Sequence, residues 1–354
     1  MKKRILLLAL VTTCFLTESV FSQENDIKRF NLSFDARADF ELNKPEEDVT
    51  YGFVGKNLNI MFNGEINDHF SVKVRQRLNK PINAEVGFFN ATDIATLTWN
   101  INKKFSIVAG KQVVSIGGFE YDLAPIDLYF YSDFTNNIPS CYEFGVAANY
   151  TVNNDLFSFQ MINSPFATNR NGKEGLFAYN LIWYGSHGIF NSIYSLNMME
   201  YRKGKFVNYV TLGNQFNIGA LTLEIDFQNR TFPEKFKFLT DYSLIGTVKY
   251  KFNGRWSIFA KGGYDRNDYA VPIDTQNPLP ADAQSTLPDG TIIFPVIQPN
   301  GYVVQPDTEY IFAGTGVEFF PIKDKKDIRI HAFGAISNDS PLFNIGLTWR
   351  IKAI

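Results

Sequence analysis

The stretch Leu32-Ser33-Phe34-Asp35-Ala36-Arg37-Ala38-Asp39-Phe40-Glu41-Leu42 decides how the rest of the chain is read. Its apolar residues fall on even positions, and Ser33, Asp35, Arg37, Asp39 and Glu41 fall on odd ones. Period two marks a strand with one apolar and one polar face. An unbroken run from 32 to 42 is long against the ~5–6 residues usual in soluble sheets. It matches the roughly 9–11 residues that a tilted strand needs to cross a bilayer.

Outward from this stretch the pattern recurs. Leu58, Ile60, Phe62 and Ile66 alternate with Asn57, Asn59, Asn63 and Glu65. Phe70, Val72 and Val74 oppose Lys73, Arg75 and Arg77, and Leu221, Leu223, Ile225 and Phe227 oppose Glu224 and Asp226. Tyr242 to Phe252 and Phe343 to Lys352 repeat it; 142–152, 176–184, 189–199, 310–320 and 328–335 are noisier but compatible. The connections alternate in length. Asn67-Asp68, 100–104, Asn153-Asn154, 185–188, 218–220, 253–255 and 322–327 are short and rich in Asn, Gly and Asp, which suit tight hairpin turns. Between them lie longer segments at 43–51, 78–92, 115–141, 163–175, 200–206, 229–241, 266–308 and 336–342. Seven short turns and eight longer loops predict sixteen strands. The expected fold is all-β: a transmembrane antiparallel β-barrel with short periplasmic turns, longer extracellular loops and both termini on the periplasmic side. A secreted soluble β-sandwich or β-helix is the alternative. It accounts less well for the strand length and the asymmetry of turns and loops.

The N-terminus supports export. Lys2-Lys3-Arg4 precedes the mostly apolar run Ile5 to Leu16, and small residues at Val20 and Ser22 fit cleavage before Gln23. The expected division is a signal peptide at 1–22 and an outer-membrane barrel at 23–354. The residues before Cys14, Val11-Thr12-Thr13, make a poor lipobox. The mature part then keeps Cys141 as its one cysteine, which excludes an internal disulfide. The formal net charge of −2 excludes a basic nucleic-acid protein. With 34 Phe and 17 Tyr, the chain is rich in the residues that suit strands and interfacial girdles.

A barrel of about sixteen strands encloses more space than its own side chains fill. Passive diffusion of small hydrophilic solutes or ions is the default function. The chemistry then lies in the lumen charges and in any loop folded inward. Segment 115–141 is the candidate constriction, because its aromatic and aliphatic content calls for a surface to pack on. It carries Glu120, Asp122, Asp127 and Asp133, and no Lys or Arg between Ser115 and Cys141. Opposite charge is expected from a basic lumen wall of Lys73, Arg75, Arg77, Lys111, Lys249 and Lys251, with Arg329, Arg350 and Lys352 on the same apparent face. Loop 266–308, with its apolar Ile292 to Ile297, is a rim flap, a vestibule lining or a partner-binding element. Only His69, His187 and His331 offer general bases, and no metal spacing, phosphate loop or glycine fingerprint is present. The chain therefore reads as a non-enzyme without cofactor.

Ala95-Thr96-Leu97-Thr98-Trp99-Asn100-Ile101, then Phe105 to Gln112, then Gly117-Gly118-Phe119-Glu120 resembles the phosphate-selective porin O and P family. The resemblance implies a sixteen-stranded trimeric channel with an infolded third loop, embedded in outer-membrane lipid. The family's phosphate-selective members guide anions with inward Arg and Lys. The acidic loop departs from that pattern: opposed by a basic wall, it gives a transverse field, which does not by itself give phosphate selectivity, and anions or phosphate stay among the candidate solutes. A barrel that anchors or partners a surface complex is the alternative function.

Overall fold

The computed structural model describes residues 29–44, 49–80, 88–166, 175–233, 238–268, 271–272, 302–304, 307–338 and 340–353. The expected signal peptide and most of loop 266–308, including Ile292 to Ile297, lie outside the described residues. Eighteen strands are described, sixteen of which form one closed antiparallel barrel. They are β1 (Arg29–Asn43), β2 (Thr50–Glu65), β3 (Phe70–Arg77), β4 (Thr92–Asn100), β5 (Phe105–Val113), β6 (Tyr142–Val152), β7 (Asp155–Asn163), β8 (Phe177–His187), β9 (Phe190–Arg202), β10 (Lys205–Ile218), β11 (Leu221–Thr231), β12 (Asp241–Lys251), β13 (Trp256–Asn267), β16 (Thr308–Phe319), β17 (Ile328–Ser337) and β18 (Ser340–Lys352). A small ribbon of β14 (Val271–Pro272) and β15 (Tyr302–Val304) stands apart from the wall.

Each strand pairs with its sequence neighbours, and β1 closes the ring on β18 from Ser33↔Lys352 to Asn43↔Leu342. Closure removes every open sheet edge, as a strand structure in hydrocarbon requires. The two faces sort as the alternation demands. In β1 the side chains of Ser33, Asp35, Arg37 and Asp39 are buried inside the barrel. Leu181, Leu196, Leu212, Ile225, Leu244, Ile258, Ile311, Ile330, Ile345 and Leu347 are exposed on the outer wall. That outer apolar surface is far larger than a soluble monomer shows, and it is what a lipid-facing belt looks like.

Two connections are shorter than expected. Segment 200–206 closes as the two-residue turn Lys203-Gly204, with Gly204 at φ +71°, and β17 passes to β18 through residues 338–339, with Asn338 at φ +41°. Positive φ at a Gly and an Asn is the conformation that tight hairpins need. The strand count is unaffected.

Two β-bulges matter for the lumen. The pairing of β1 with β2 shifts between Arg37 and Ala38, which leaves Lys56 as the extra residue. The pairing of β3 with β4 shifts between Arg75 and Gln76, which leaves Asp93 as the extra residue. An extra residue reverses the in–out phase of everything beyond it.

Candidate functional site

The segment from Val114 to Cys141 leaves the end of β5 and runs inside the barrel. Its first turn is fastened by a row of amide side chains projecting from β5, β7, β8 and β9. The Gln160 side-chain amide donates to Gln112 (3.0 Å), Asn180 to Gln160 (2.9 Å), and Asn197 to Asn180 (2.8 Å) and to the Ser115 carbonyl (2.6 Å). The Gly117 amide then donates to Ser195 Oγ at 2.8 Å. Gly118 follows with φ +95°, ψ 144°, a conformation essentially reserved for glycine. The glycine has a second reason: a Cβ there would meet Gln228 Nε2 at 3.1 Å. The amides of Phe119 and Glu120 both donate to the wall carboxylate of Asp226, each at 2.8 Å.

Beyond that turn the chain crosses to the opposite strands, and its acidic residues become fasteners. Glu120 lies 2.5 Å from Lys261 Nζ and accepts from Ser132 Oγ and Thr135 Oγ1, both at 2.6 Å. Burial works against its charge, but Lys261 and the two hydroxyls outweigh it and hold the carboxyl below its ordinary value. Asp127 bridges Arg329 (2.8 Å) and Arg350 (2.7 Å). Burial again opposes the charge, and the two guanidiniums again prevail and lower the pKa. Asp133 accepts from Asn267 at 3.0 Å, while its own amide donates to Asp265 at 3.1 Å. Here burial dominates and pushes the carboxyl up. Asp122 is exposed, and Tyr184 Oη donates to it at 3.3 Å. Of the four acids picked from the sequence, three therefore pin the loop to the wall and one faces open space.

The apolar residues of the loop complete the attachment. Ile116, Tyr121, Phe134 and Ile138 pack with Phe166, Met199, Tyr209 and Phe232, and Phe130 packs with Phe259, Phe312 and Phe333. The Arg37 and Arg329 guanidiniums lie 4.9 and 5.2 Å from the Tyr129 ring centroid, and the Tyr129 hydroxyl donates to Glu318 at 2.7 Å. Arg37 and Lys261 donate to the carbonyls of Leu128 and Phe130, both at 2.7 Å. His331, 1% exposed, lies against Tyr129 and bonds Asn344 at 3.0 Å, away from any passage.

The loop covers the β7–β13 and β16–β18 side, touches β1 through Arg37, and leaves free volume against β3–β5 and the short-turn ends of β1 and β2. A cavity of about 830 Å³ lies there, lined by Asn31, Asn63, Glu65, Lys73, Thr98 and Gln112 among others. Lys73 is exposed into it. Arg75 and Arg77 stand on the same face, but Asp93 lies 3.2 Å from the first and 2.9 Å from the second. Strict alternation would turn Asp93 outward with Ala95 and Leu97. The β3–β4 bulge turns it in, and only that irregularity explains why it was missed.

Lys111 is a correction. It pairs in register with Ala95 and Phe144, and Phe144 is exposed on the outer wall. Lys111 is thus on the outer face, buried beneath the 88–90 turn, with its ammonium donating to the Phe89 carbonyl at 2.7 Å. Apolar residues on both faces of Phe105 to Ala109 had concealed the phase. Lys249 is ion-paired with Glu318, and Lys251 is exposed at the short-turn end of β12. Glu318 and Asp226 are buried lumen acids whose role as loop holders had no signal beyond their strand phase.

The family model for phosphate-selective porin O and P matches residues 30–180, from the first strand through the inner loop into β8. No curated protein matches the chain. Among solved structures, the barrel is similar to an anion-selective porin from Comamonas acidovorans, with 10% identity, TM-score 0.60 and coverage of 91% of this chain and 99% of that one. It is similar to OmpT of Vibrio cholerae in its trimer form, with 11% identity, TM-score 0.58 and coverage of 91% and 99%. A Salmonella typhi OmpF complex with daunomycin gives 12% identity, TM-score 0.59 and coverage of 93% and 99%. At these identities the likeness is one of fold.

Proposed function

We propose, for a chain whose residues 30–180 carry the sequence pattern of the phosphate-selective porin O and P family, that this barrel is an outer-membrane porin for passive diffusion of small hydrophilic solutes or ions. The observation that carries the reading is the fastened inner loop, which fills one side of a closed sixteen-stranded wall and leaves open volume, lined by amides, hydroxyls and Lys73 as well as apolar residues, on the other. A soluble barrel would need neither the outer apolar belt nor the wet interior. The loop works as a constriction, with Asp122 exposed on it beside Tyr184 and Lys73 exposed into the volume that it leaves open. The attachments that hold it are ion pairs and ring packing, so it is a fixed narrowing and not a moving lid. Homotrimeric assembly accords with the trimer form of the Vibrio cholerae structure.

Purified protein in a planar bilayer should give stable conductance steps in KCl. A folded, heat-modifiable barrel without steps would overturn the channel reading and favour an anchoring barrel. Cross-linking in detergent checks the trimer.

A further inference from the structure

Where the inner loop meets β11 and β13, carboxyls outnumber the bases that could neutralise them. Glu120 and Asp133 of the loop meet Asp226 and Asp265 of the wall through the loop's own backbone amides. Lys261 pairs with Glu120. Asp133, Asp226 and Asp265 have no ion-pair partner among the described residues. Arg230, whose charge also acts on Asp133, is engaged by Asp241 at 2.7 Å. Asp226 receives the amides of Phe119 and Glu120, both at 2.8 Å. Asp265 is less well supplied. It is 1% exposed; its Oδ2 accepts the Asp133 amide at 3.1 Å, and its Oδ1 has no hydrogen-bond partner among the described residues. The charges that act on it are those of Asp133 and Glu120, both acids. Across the sheet it stands in register with Ser243 on β12 and Tyr310 on β16, and neither supplies a positive charge. Two carboxyls that share a buried site without a counter-charge cannot both ionise readily, so one proton is retained between them.

Resting on the porin reading, we propose that Asp133 and Asp265 share one proton and that this proton positions the constriction, holding the short helix Asp133–Asn136 against β13 until alkaline solution removes it. Asp265 touches no solute; it acts through the loop, as a positioning residue. Loss of the proton breaks one O–H bond and delivers the proton to hydroxide in the lumen. The two like charges then repel. β13 is held by β12 and β16 along its length, so the loop is the part that yields. Burial pushes the Asp133 carboxyl up. An acid raised in the folded state stabilises the attachment below that raised value, and the contribution is lost as pH climbs through it. The other end of the loop is clamped by Asp127 with Arg329 and Arg350, pairs that keep their charge in mild alkali. The opening is therefore local to residues 132–136.

Single-channel conductance of the full-length protein in planar bilayers tests this, read in KCl at about pH 7 and about pH 9.5, a span that contains the documented range of buried carboxyls. The wild-type conductance ratio, alkaline over neutral, should be about 1.5 or more, with noisier steps that settle when neutral pH is restored. Asp265→Asn keeps an acceptor for the Asp133 amide and has no proton to lose, so its ratio should be about one. Asp133→Asn removes the other member of the pair and should also lower the ratio. A flat wild-type profile would overturn the proposal whether or not the variants fold. So would an undiminished ratio in both variants, or loosening at neutral pH on addition of EDTA, which would put a bound cation in the proton's place. Each of these outcomes leaves the porin reading intact. Absence of conductance steps at neutral pH would instead sink the porin reading itself.

Discussion

Asp93 depends on a single extra residue in its strand. Without the β3–β4 bulge it would face lipid beside Leu97; with the bulge it neutralises Arg75 and Arg77. Asp93→Asn keeps the hydrogen-bond acceptor and removes the charge. The expected outcome is a reversal potential in KCl gradients that moves toward anions, opposite in direction to Lys73→Gln. A shift toward cations would show that the two arginines are not the groups Asp93 restrains. The alternation of Lys73, Arg75 and Arg77 was legible because period two holds through β3. Asp93 and Lys111 were not legible, since a bulge and a strand apolar on both faces each erase the phase that such a reading uses.

The inner loop shows the same limit at the level of the element. Its apolar residues announced that it must pack on something, and it does. Its acids suggested an open acidic rim, yet Glu120 and Asp127 are partnered by Lys261, Arg329 and Arg350, more than a hundred residues away in sequence. Only the closed ring brings those groups together. Glu120→Gln would leave Lys261 buried without a counter-charge, a change that costs about 3–5 kcal/mol in comparable pairs. The loop should then loosen, seen as higher and noisier single-channel conductance; unaltered traces would mean that ring packing alone holds it. The pH response follows from the direction of each carboxyl. Asp127 is held below its ordinary value of 3.8, so its clamp is fully present above that pH and is lost only as pH falls through the lowered value. Asp133 is raised, so it takes up its proton earlier in the descent and destabilises the fold only while charged. Conductance should hold steady from neutral pH to about pH 4 and become unstable only below it. Loosening that begins near neutral pH would contradict this assignment.

Across the whole molecule the inside–outside division follows almost entirely from alternation, since one apolar face per strand and one closed ring leave little freedom. Sixteen strands were therefore countable, although Lys203-Gly204 turned out to be a tight turn and β17 ends only three positions before β18 begins. Ile225, 39% exposed on the outer wall, and Thr98, on the open lumen wall, give a direct comparison. Ile225→Arg should cost about 2–4 kcal/mol in a lipid refolding assay, whereas Thr98→Arg should cost under about 1 kcal/mol. Equal losses would reverse the assignment of faces.

The ring is closed by the two ends of the chain, and the inner loop touches both sides of that join. Arg37 on β1 grips the Leu128 carbonyl, and Arg350 on β18 grips Asp127. The loop is therefore a strap laid across the seam from within, tying the first strand made to the last. Excising residues 119–135 should widen the pore and also lower the temperature at which the barrel loses its compact mobility on a detergent gel. A channel enlarged that way has been unstitched as well as unblocked.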